Sequence, residues 1–259
     1  MHQKQYTELL DIAIHAAKRA GAIIQRATTR TIKHKGRVDL VTETDLASEA
    51  EICSFLQKET PNIGILTEEG GGVQHGVRWI IDPLDGTTNF AHGFPHYAVS
   101  IGLEVQDKIV VAVIYAPCLD EIFSAQLGKG SWCNGKSISV SKENVLGSSL
   151  LATGFPYDRY QNPERYTSYL NTMLRCAQGI RRAGSAALDL AYIGAGRLDG
   201  FWELGLKPWD MAAGILIIQE AGGTISDLQG KHHLLSGPSI VASNSHIHTA
   251  LITALNTDV

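Results

Sequence analysis

Apolar residues recur at three- and four-residue spacing from residue 3 to about residue 27, at Tyr6, Leu9, Leu10, Ala13, Ala16, Ala17, Ala20, Ile23 and Ile24. That period lines up one face of a helix and predicts an amphipathic helix. A basic, polar stretch follows from Arg30 to Arg37, and residues 38–41 read as a short strand. Thr44 and Asp45 stand where a helix N-terminus belongs, ahead of Leu46, Ala50, Cys53 and Leu56, and Pro61 ends that helix. Residues 63–67 read as a buried strand that runs into the acidic, glycine-rich loop of residues 68–72.

From Trp79 the pattern changes to apolar runs of strand length, at residues 79–81, 99–105, 109–115 and 121–125. The polar break at Gln106, Asp107 and Lys108 predicts an antiparallel hairpin. Helical spacing returns over residues 162–178, with Tyr166, Tyr169, Leu170, Met173 and Leu174 on one side, and again over residues 186–194. A short strand is expected at residues 198–202, then a strongly apolar helix over residues 210–219, stopped by Ala221, Gly222 and Gly223. Blocks of strands and helices with hairpins among them predict a layered α/β or α+β fold rather than a purely parallel sheet. No repeat, low-complexity tract or Pro/Ser-rich linker divides the chain, so a single domain over residues 1–259 is expected.

Composition narrows the functional classes. A chain of 259 residues can bury roughly 70–75% of its unfolded surface and needs neither a disulfide nor a metal merely to fold. Its 22 basic and 26 acidic residues leave a net charge of −4, which gives no electrostatic reason to expect nucleic acid or an anionic membrane as the main partner. Cys53, Cys118, Cys133 and Cys176 have neither C-x-x-C spacing nor the clustering of a metal knuckle, and read as reduced thiols of a cytoplasmic protein. The longest apolar run, residues 109–116, has strand length and falls far short of the ~18 residues of a membrane span. Lys4, Glu8 and Asp11 occupy the region where a secretion signal needs an apolar stretch, so a cytoplasmic location is expected.

The chemistry is concentrated in Trp79-Ile80-Ile81-Asp82-Pro83-Leu84-Asp85-Gly86-Thr87-Thr88-Asn89. A buried strand delivers Asp82 to its end, and Asp85 follows where both carboxylates can point at one place with the Leu84 carbonyl between them. Such hard oxygen donors suit Mg²⁺. Gly86-Thr87-Thr88 then opens a candidate helix whose first N–H groups suit a phosphate. A turn of ordinary Asp, Pro, Gly and Thr residues is the plainer alternative. It weakens because Glu68 and Asp210 also sit at the edges of buried elements. Four carboxylates brought together repel one another and call for divalent cations. The pairs His232-His233 and His246/His248 lie in a polar stretch and read as non-ligands, as do His92 and His96. No G-x-G-x-x-G pattern is present, which disfavours a dinucleotide fold.

The segments Leu66-Thr67-Glu68-Glu69, Trp79 to Phe90, Gly184-Ser185-Ala186-Ala187, Pro208-Trp209-Asp210 and Glu220-Ala221-Gly222-Gly223, in this order, resemble the inositol monophosphatase family. The likeness is to its bacterial inositol-1-monophosphatases and runs from Val38-Asp39-Leu40-Val41-Thr42 to Val241-Ala242-Ser243-Asn244. It implies alternating αβαβα layers with mixed, largely antiparallel sheets, and a homodimer. It also implies a lithium-sensitive, magnesium-dependent phosphatase holding two or three Mg²⁺ per site. Glu68, Asp82 and the Leu84 carbonyl match ligands of a first ion, and Asp82, Asp85 and Asp210 those of a second. Gly86 and Thr87 match the phosphate cradle, with Thr87 also orienting the attacking water and Asp45 standing behind the metal site. Glu203, Arg181 and Ser185 with Gly184 and Ala186 match the residues that hold substrate hydroxyls. Lys35 corresponds to a lysine on a loop covering the site, on a loop about one residue shorter than in animal relatives.

The implied substrate is a small phosphorylated polyol, myo-inositol 1-phosphate. Histidinol phosphate, fructose 1,6-bisphosphate and a 3′-phosphoadenosine nucleotide are alternatives within the same chemistry. A regulatory or RNA-associated scaffold is the alternative of a different class.

Overall fold

The computed structural model describes residues 3–27, 32–34, 40–233 and 235–257. Its layers follow from where the apolar stripes can be covered. The stripe of α1 (Gln3–Arg26) is buried from Leu9 to Ile24 and packs beside α2 (Glu43–Glu59), which buries Ile52 and Leu56. Both helices cover one face of an eight-stranded sheet through Trp79, Ile81, Ile101, Leu103, Val111 and Val113. Alternate residues of the same strands, such as Ala112, Ile114 and Ala125, point to the other face and meet a second pair of helices.

The large sheet contains β3 (Gly64–Thr67), β4 (Gly71–Gly72), β5 (Arg78–Asp85), β6 (Ala98–Val105), β7 (Lys108–Ala116), β8 (Glu121–Gln126), β9 (Gly130–Cys133) and β10 (Lys136–Ile138). Its order is β10-β9-β8-β7-β6-β5-β3-β4, antiparallel except for the β3–β5 pair. Gln106 and Asp107 close the expected β6–β7 hairpin with φ of 52° and 59°, the conformation a two-residue hairpin turn needs. β1 (Ile32–His34) and β2 (Leu40–Thr42) form a separate antiparallel pair, with β2 leading into α2.

A five-stranded sheet of order β12-β11-β13-β15-β14 holds β11 (Leu150–Thr153), β12 (Gly179–Arg181), β13 (Gly200–Leu204), β14 (Thr224–Ser226) and β15 (Ser239–Ser243). α5 (Ala186–Gly194) and α6 (Pro208–Glu220) lie between the sheets. One side carries Ala187, Ala213 and Leu216 to the large sheet, and the other carries Leu190, Met211 and Ile218 to Phe201, Ile240 and Ala242 of the small one. α4 (Pro163–Cys176) and α7 (His248–Leu255) cover the outer face of the small sheet through Tyr166, Met173 and Leu251. The short α3 (Thr87–His92) follows β5. The layers are therefore helix, sheet, helix, sheet, helix, and both sheets are mixed, as expected; the large one is largely antiparallel, while the small one pairs β11 in parallel with β12 and β13 and the rest antiparallel.

Two sequence expectations shift. α2 starts at Glu43 with Thr42 as its cap, so Asp45 is the third helical residue and closes a capping box rather than opening the helix. The strand expected at residues 198–202 runs over Gly200–Leu204, which brings Glu203 into it. Among the described residues no helix is long and apolar enough to cross a membrane.

Candidate active site

β5 would place Asp82 and Asp85, three residues apart, on opposite faces if it stayed regular. It does not: Asp82 pairs with Ser100 and Asp85 with Ala98, so two β5 residues between them face one residue of β6. That extra residue makes a bulge at Pro83 and Leu84, where a proline without an N–H is tolerated. The bulge changes the parity and turns both aspartates to one side. It is held by Ser48, whose hydroxyl donates to the Pro83 carbonyl at 2.8 Å, and by the Leu84 N–H, which donates to Asp82 Oδ1 at 2.9 Å.

Asp210 joins the pair from the first turn of α6, where the Lys207 N–H donates to its Oδ2 at 2.6 Å. One carboxylate oxygen from each of Asp82, Asp85 and Asp210 lies within 4.8 Å of the other two. Burial, together with repulsion from Glu68, Asp85 and Asp210, pushes the Asp82 carboxyl well above the usual carboxylate range. Burial raises Asp210 to about 8, reinforced by Asp85. Asp85 rises only to about 6, because burial is offset by bonds from the Ser185 hydroxyl and from N–H groups opening α5. Three converging hard oxygens that resist ionisation until a cation compensates them are the donor set magnesium prefers. The residues present fit such an ion, with Glu68 and Leu84 lining the same cleft.

Thr87 opens α3 behind Gly86, whose φ of 92° places the chain in the left-handed region. A side chain there would meet the His96 carbonyl at 3.0 Å, so glycine is needed on both counts. No side chain caps this turn. The Thr87 hydroxyl lies 2.9 Å from Asp45 Oδ1 and 3.1 Å from the Leu84 carbonyl. Asp45 Oδ2 meanwhile accepts from the Thr42 N–H at 2.9 Å and meets the Thr42 hydroxyl. With its proton directed at an acceptor behind it, the Thr87 oxygen is left as an acceptor on the cleft side.

The cleft encloses about 410 Å³. It brings together Glu68, Asp82, Leu84, Asp85, Gly86, Thr87, Gly184, Ser185, Ala186, Glu203 and Asp210 from the sequence expectations. Within the protein Ser185 has a structural capacity as well. Its hydroxyl donates to Asp85 Oδ2 and accepts from the Leu188 N–H at 3.3 Å, so it fixes a carboxylate and caps α5. The Ala187 N–H adds 2.8 Å to the same Asp85 oxygen.

Arg181 is not brought in. It ends β12 exposed, with a guanidinium bond to the neighbouring Ile180 carbonyl, while Arg182 lines the cleft with its guanidinium 5.4 Å from the Phe155 ring. Adjacent residues of an extended segment point to opposite sides, and the sequence offered two arginines without fixing that parity. Lys35 lies outside the described residues.

Sequence reasoning missed three residues besides Arg182. Asp189, one turn beyond Ser185 on α5, is 2% exposed and lines the cleft. Its signal was visible as one acid inside the apolar run Ala186-Ala187-Leu188-Asp189-Leu190-Ala191. Gly154 follows β11, and a Cβ there would lie 2.0 Å from Glu203 Oε2. Lys207 lines the mouth beside Asp210.

A layered α/β fold whose strand bulge and helix starts gather acidic oxygens in one cleft is the architecture found in a family of phosphatases. The Inositol monophosphatase family model matches residues 5–259. The chain belongs to the inositol monophosphatase family. It is 43% identical over 258 residues to the Nus factor SuhB of Pseudomonas aeruginosa, covering 95% of each chain. It is 42% identical over 256 residues to the inositol-1-monophosphatase of Mesorhizobium japonicum, covering 95% of this chain and 96% of that one. The crystal structure of the extragenic suppressor protein SuhB from Bartonella henselae superimposes with a TM-score of 0.92 at 40% identity, over 97% of this chain and 100% of that one.

Proposed function

We propose that the protein is a Mg²⁺-dependent phosphomonoesterase that converts myo-inositol 1-phosphate and water to inositol and phosphate. One observation carries the reading: three carboxylate oxygens converge within 4.8 Å at the floor of a cleft large enough for a phosphorylated polyol. In this reading Glu68, Asp82, Asp85, Asp210 and the Leu84 carbonyl hold two or three Mg²⁺. Magnesium, when bound, supplies positive charge that favours an ionised water and steadies the leaving alkoxide.

The chain's own residues do the rest. The N–H groups of Gly86 and Thr87, at an uncapped helix start, bind phosphate oxygens. Thr87, its proton held by Asp45, accepts a hydrogen of the attacking water and aligns it with phosphorus. The water oxygen bonds to phosphorus, the ester P–O bond breaks, and the alcohol leaves with a proton. Asp45 fixes Thr87 rather than touching substrate. Glu203, Gly184 and Ala186 face the polyol. Phosphoryl transfer asks for positioning and charge stabilisation more than for a covalent nucleophile, which suits a cleft with no cysteine lining it.

A panel ranked by kcat/KM tests the substrate: myo-inositol 1-phosphate, histidinol phosphate, fructose 1,6-bisphosphate and a 3′-phosphoadenosine nucleotide, each with Mg²⁺ titrated and lithium added. Inositol phosphate ranks first and lithium inhibits; another ester ranking first by tenfold or more would reassign the substrate. We further read the chain as one domain and a cytoplasmic homodimer, supported by an interlayer of α5 and α6 that packs on both sheets and by the family likeness. A second reading is favoured by the name Nus factor carried by relatives 42–43% identical: a role of that kind alongside hydrolysis. Rescue of a null strain by a catalytically dead variant would separate the two roles.

A further inference from the structure

A second wall of the cleft, beside the aspartate trio, carries two acids that no hydrogen bond or ion pair among the described residues neutralises. Asp189, on α5, is 2% exposed and Glu203, on β13, is 7% exposed; both line the cleft. Neither carboxylate accepts a hydrogen bond from the described residues, and neither forms an ion pair. Arg182 is the nearest compensating charge, but its guanidinium leans on Phe155 and makes no bridge to either acid. The room for Glu203 is provided by Gly154, where any side chain would overlap the carboxylate.

Buried acceptors without donors are costly, and charged ones more so. Burial, reinforced by repulsion from Asp85, pushes Asp189 well above the usual range, and burial with repulsion from Asp189 and Asp85 pushes Glu203 to about 8 despite the opposing Arg182. The recess therefore awaits hydrogen-bond donors from a ligand. A hydroxyl brings one hydrogen and no charge. An ammonium brings three hydrogens and the positive charge that permits both acids to ionise.

We propose that Asp189 and Glu203 form a subsite for a substrate ammonium group, which makes phosphate monoesters of amino polyols a substrate class of this cleft. The inference rests on the phosphomonoesterase reading above. It assigns the phosphate to the Gly86 and Thr87 N–H groups beside the aspartate trio and the amine to Asp189 and Glu203. The reaction is the same hydrolysis; only the leaving alcohol changes.

The test uses the full chain loaded with Mg²⁺ and three sugar phosphates that differ at one carbon: D-glucosamine 6-phosphate, D-glucose 6-phosphate and N-acetyl-D-glucosamine 6-phosphate. The amine is expected to exceed the hydroxyl and the amide in kcat/KM by about tenfold, the scale of one charge-assisted hydrogen bond. The preference should reside mainly in KM. D189N, nearly isosteric, is expected to shrink that preference toward unity. A wild-type preference of one or below, or a preference that survives D189N undiminished, would overturn the proposal, and the wild-type comparison decides even where D189N does not fold. Myo-inositol 1-phosphate is run alongside: if it is hydrolysed while the amine gains nothing, only the ammonium subsite falls. If no ester is hydrolysed, the phosphatase reading falls and takes the subsite with it.

Discussion

Two acidic walls adjoin in the cleft, and they are built differently. On one, Asp82, Asp85 and Asp210 bring oxygens within 4.8 Å of one another, fixed by a strand bulge and by the starts of α5 and α6. On the other, Asp189 and Glu203 come from separate elements, hold no protein donors and have only Arg182 to moderate them. The first wall spreads its repulsion over oxygens close enough for one cation to touch all three. The second leaves its acids to be satisfied by whatever occupies the cleft. Convergence suits a cation, and separation leaves acceptors open to whatever hydrogens enter the cleft.

That contrast is broken most severely at the converged wall. D85N removes one charge and the oxygen that both Ser185 and the α5 N-terminus hold. Its kcat is expected to fall by about a thousandfold or more while the far-UV circular dichroism is unchanged; a near-native rate would remove Asp85 from the metal set. T87A should cost about a hundredfold in kcat with KM little altered, since the lost contact positions the water rather than the polyol. Single-turnover kinetics distinguish this from slow product release.

At the separated wall the effects are smaller and of another kind. G154A forces the Glu203 carboxylate away from a Cβ that would sit 2.0 Å from it. The expected outcome is a KM raised about tenfold with kcat within about threefold, read from steady-state kinetics on the same substrate. The mildest expected effect is on stability. The folded-state pKa of Glu203 is raised from 4.5 to about 8, so the stability contribution is whole below pH 4.5 and is lost as pH climbs through about 8. In the presence of a chelator, E203Q and the parent should melt together near pH 4.5, with E203Q melting at the higher temperature near pH 9. Equal melting temperatures at both pH values would mean that the Glu203 carboxyl ionises as freely as one in water.

Much of the converged wall was legible in the sequence, because its acids sit in strong local contexts. A buried strand, a proline and a glycine frame Asp82 and Asp85, and a long apolar helix follows Asp210. The bulge was not legible: it depends on the register between β5 and β6, and no local residue choice states that Asp82 pairs with Ser100 while Asp85 pairs with Ala98. Arg181 and Arg182 illustrate the same limit, since strand parity at β12 is set by its partner β11. Asp189 needed its burial to be noticed, although a lone acid in an apolar helix was the available signal.

Layer composition divided in a similar way. Long elements with many periods, such as α1 and the β6–β7 hairpin, stood out. The small sheet did not, because β12, β14 and β15 are three to five residues long and too short to carry a period. The polar stretch around His246 and His248 concealed α7. There His248 bridges the Ser243 and Ser226 hydroxyls at 2.9 Å each.

The convergence itself is measured most directly by crystals of the intact protein grown with Mn²⁺ in place of Mg²⁺ and recorded at the manganese absorption edge. Anomalous peaks are expected within about 2.3 Å of carboxylate oxygens from Asp82, Asp85 and Asp210, with Glu68 at an adjoining peak. Peaks confined to other acids, with these three turned away from one another, would contradict the account.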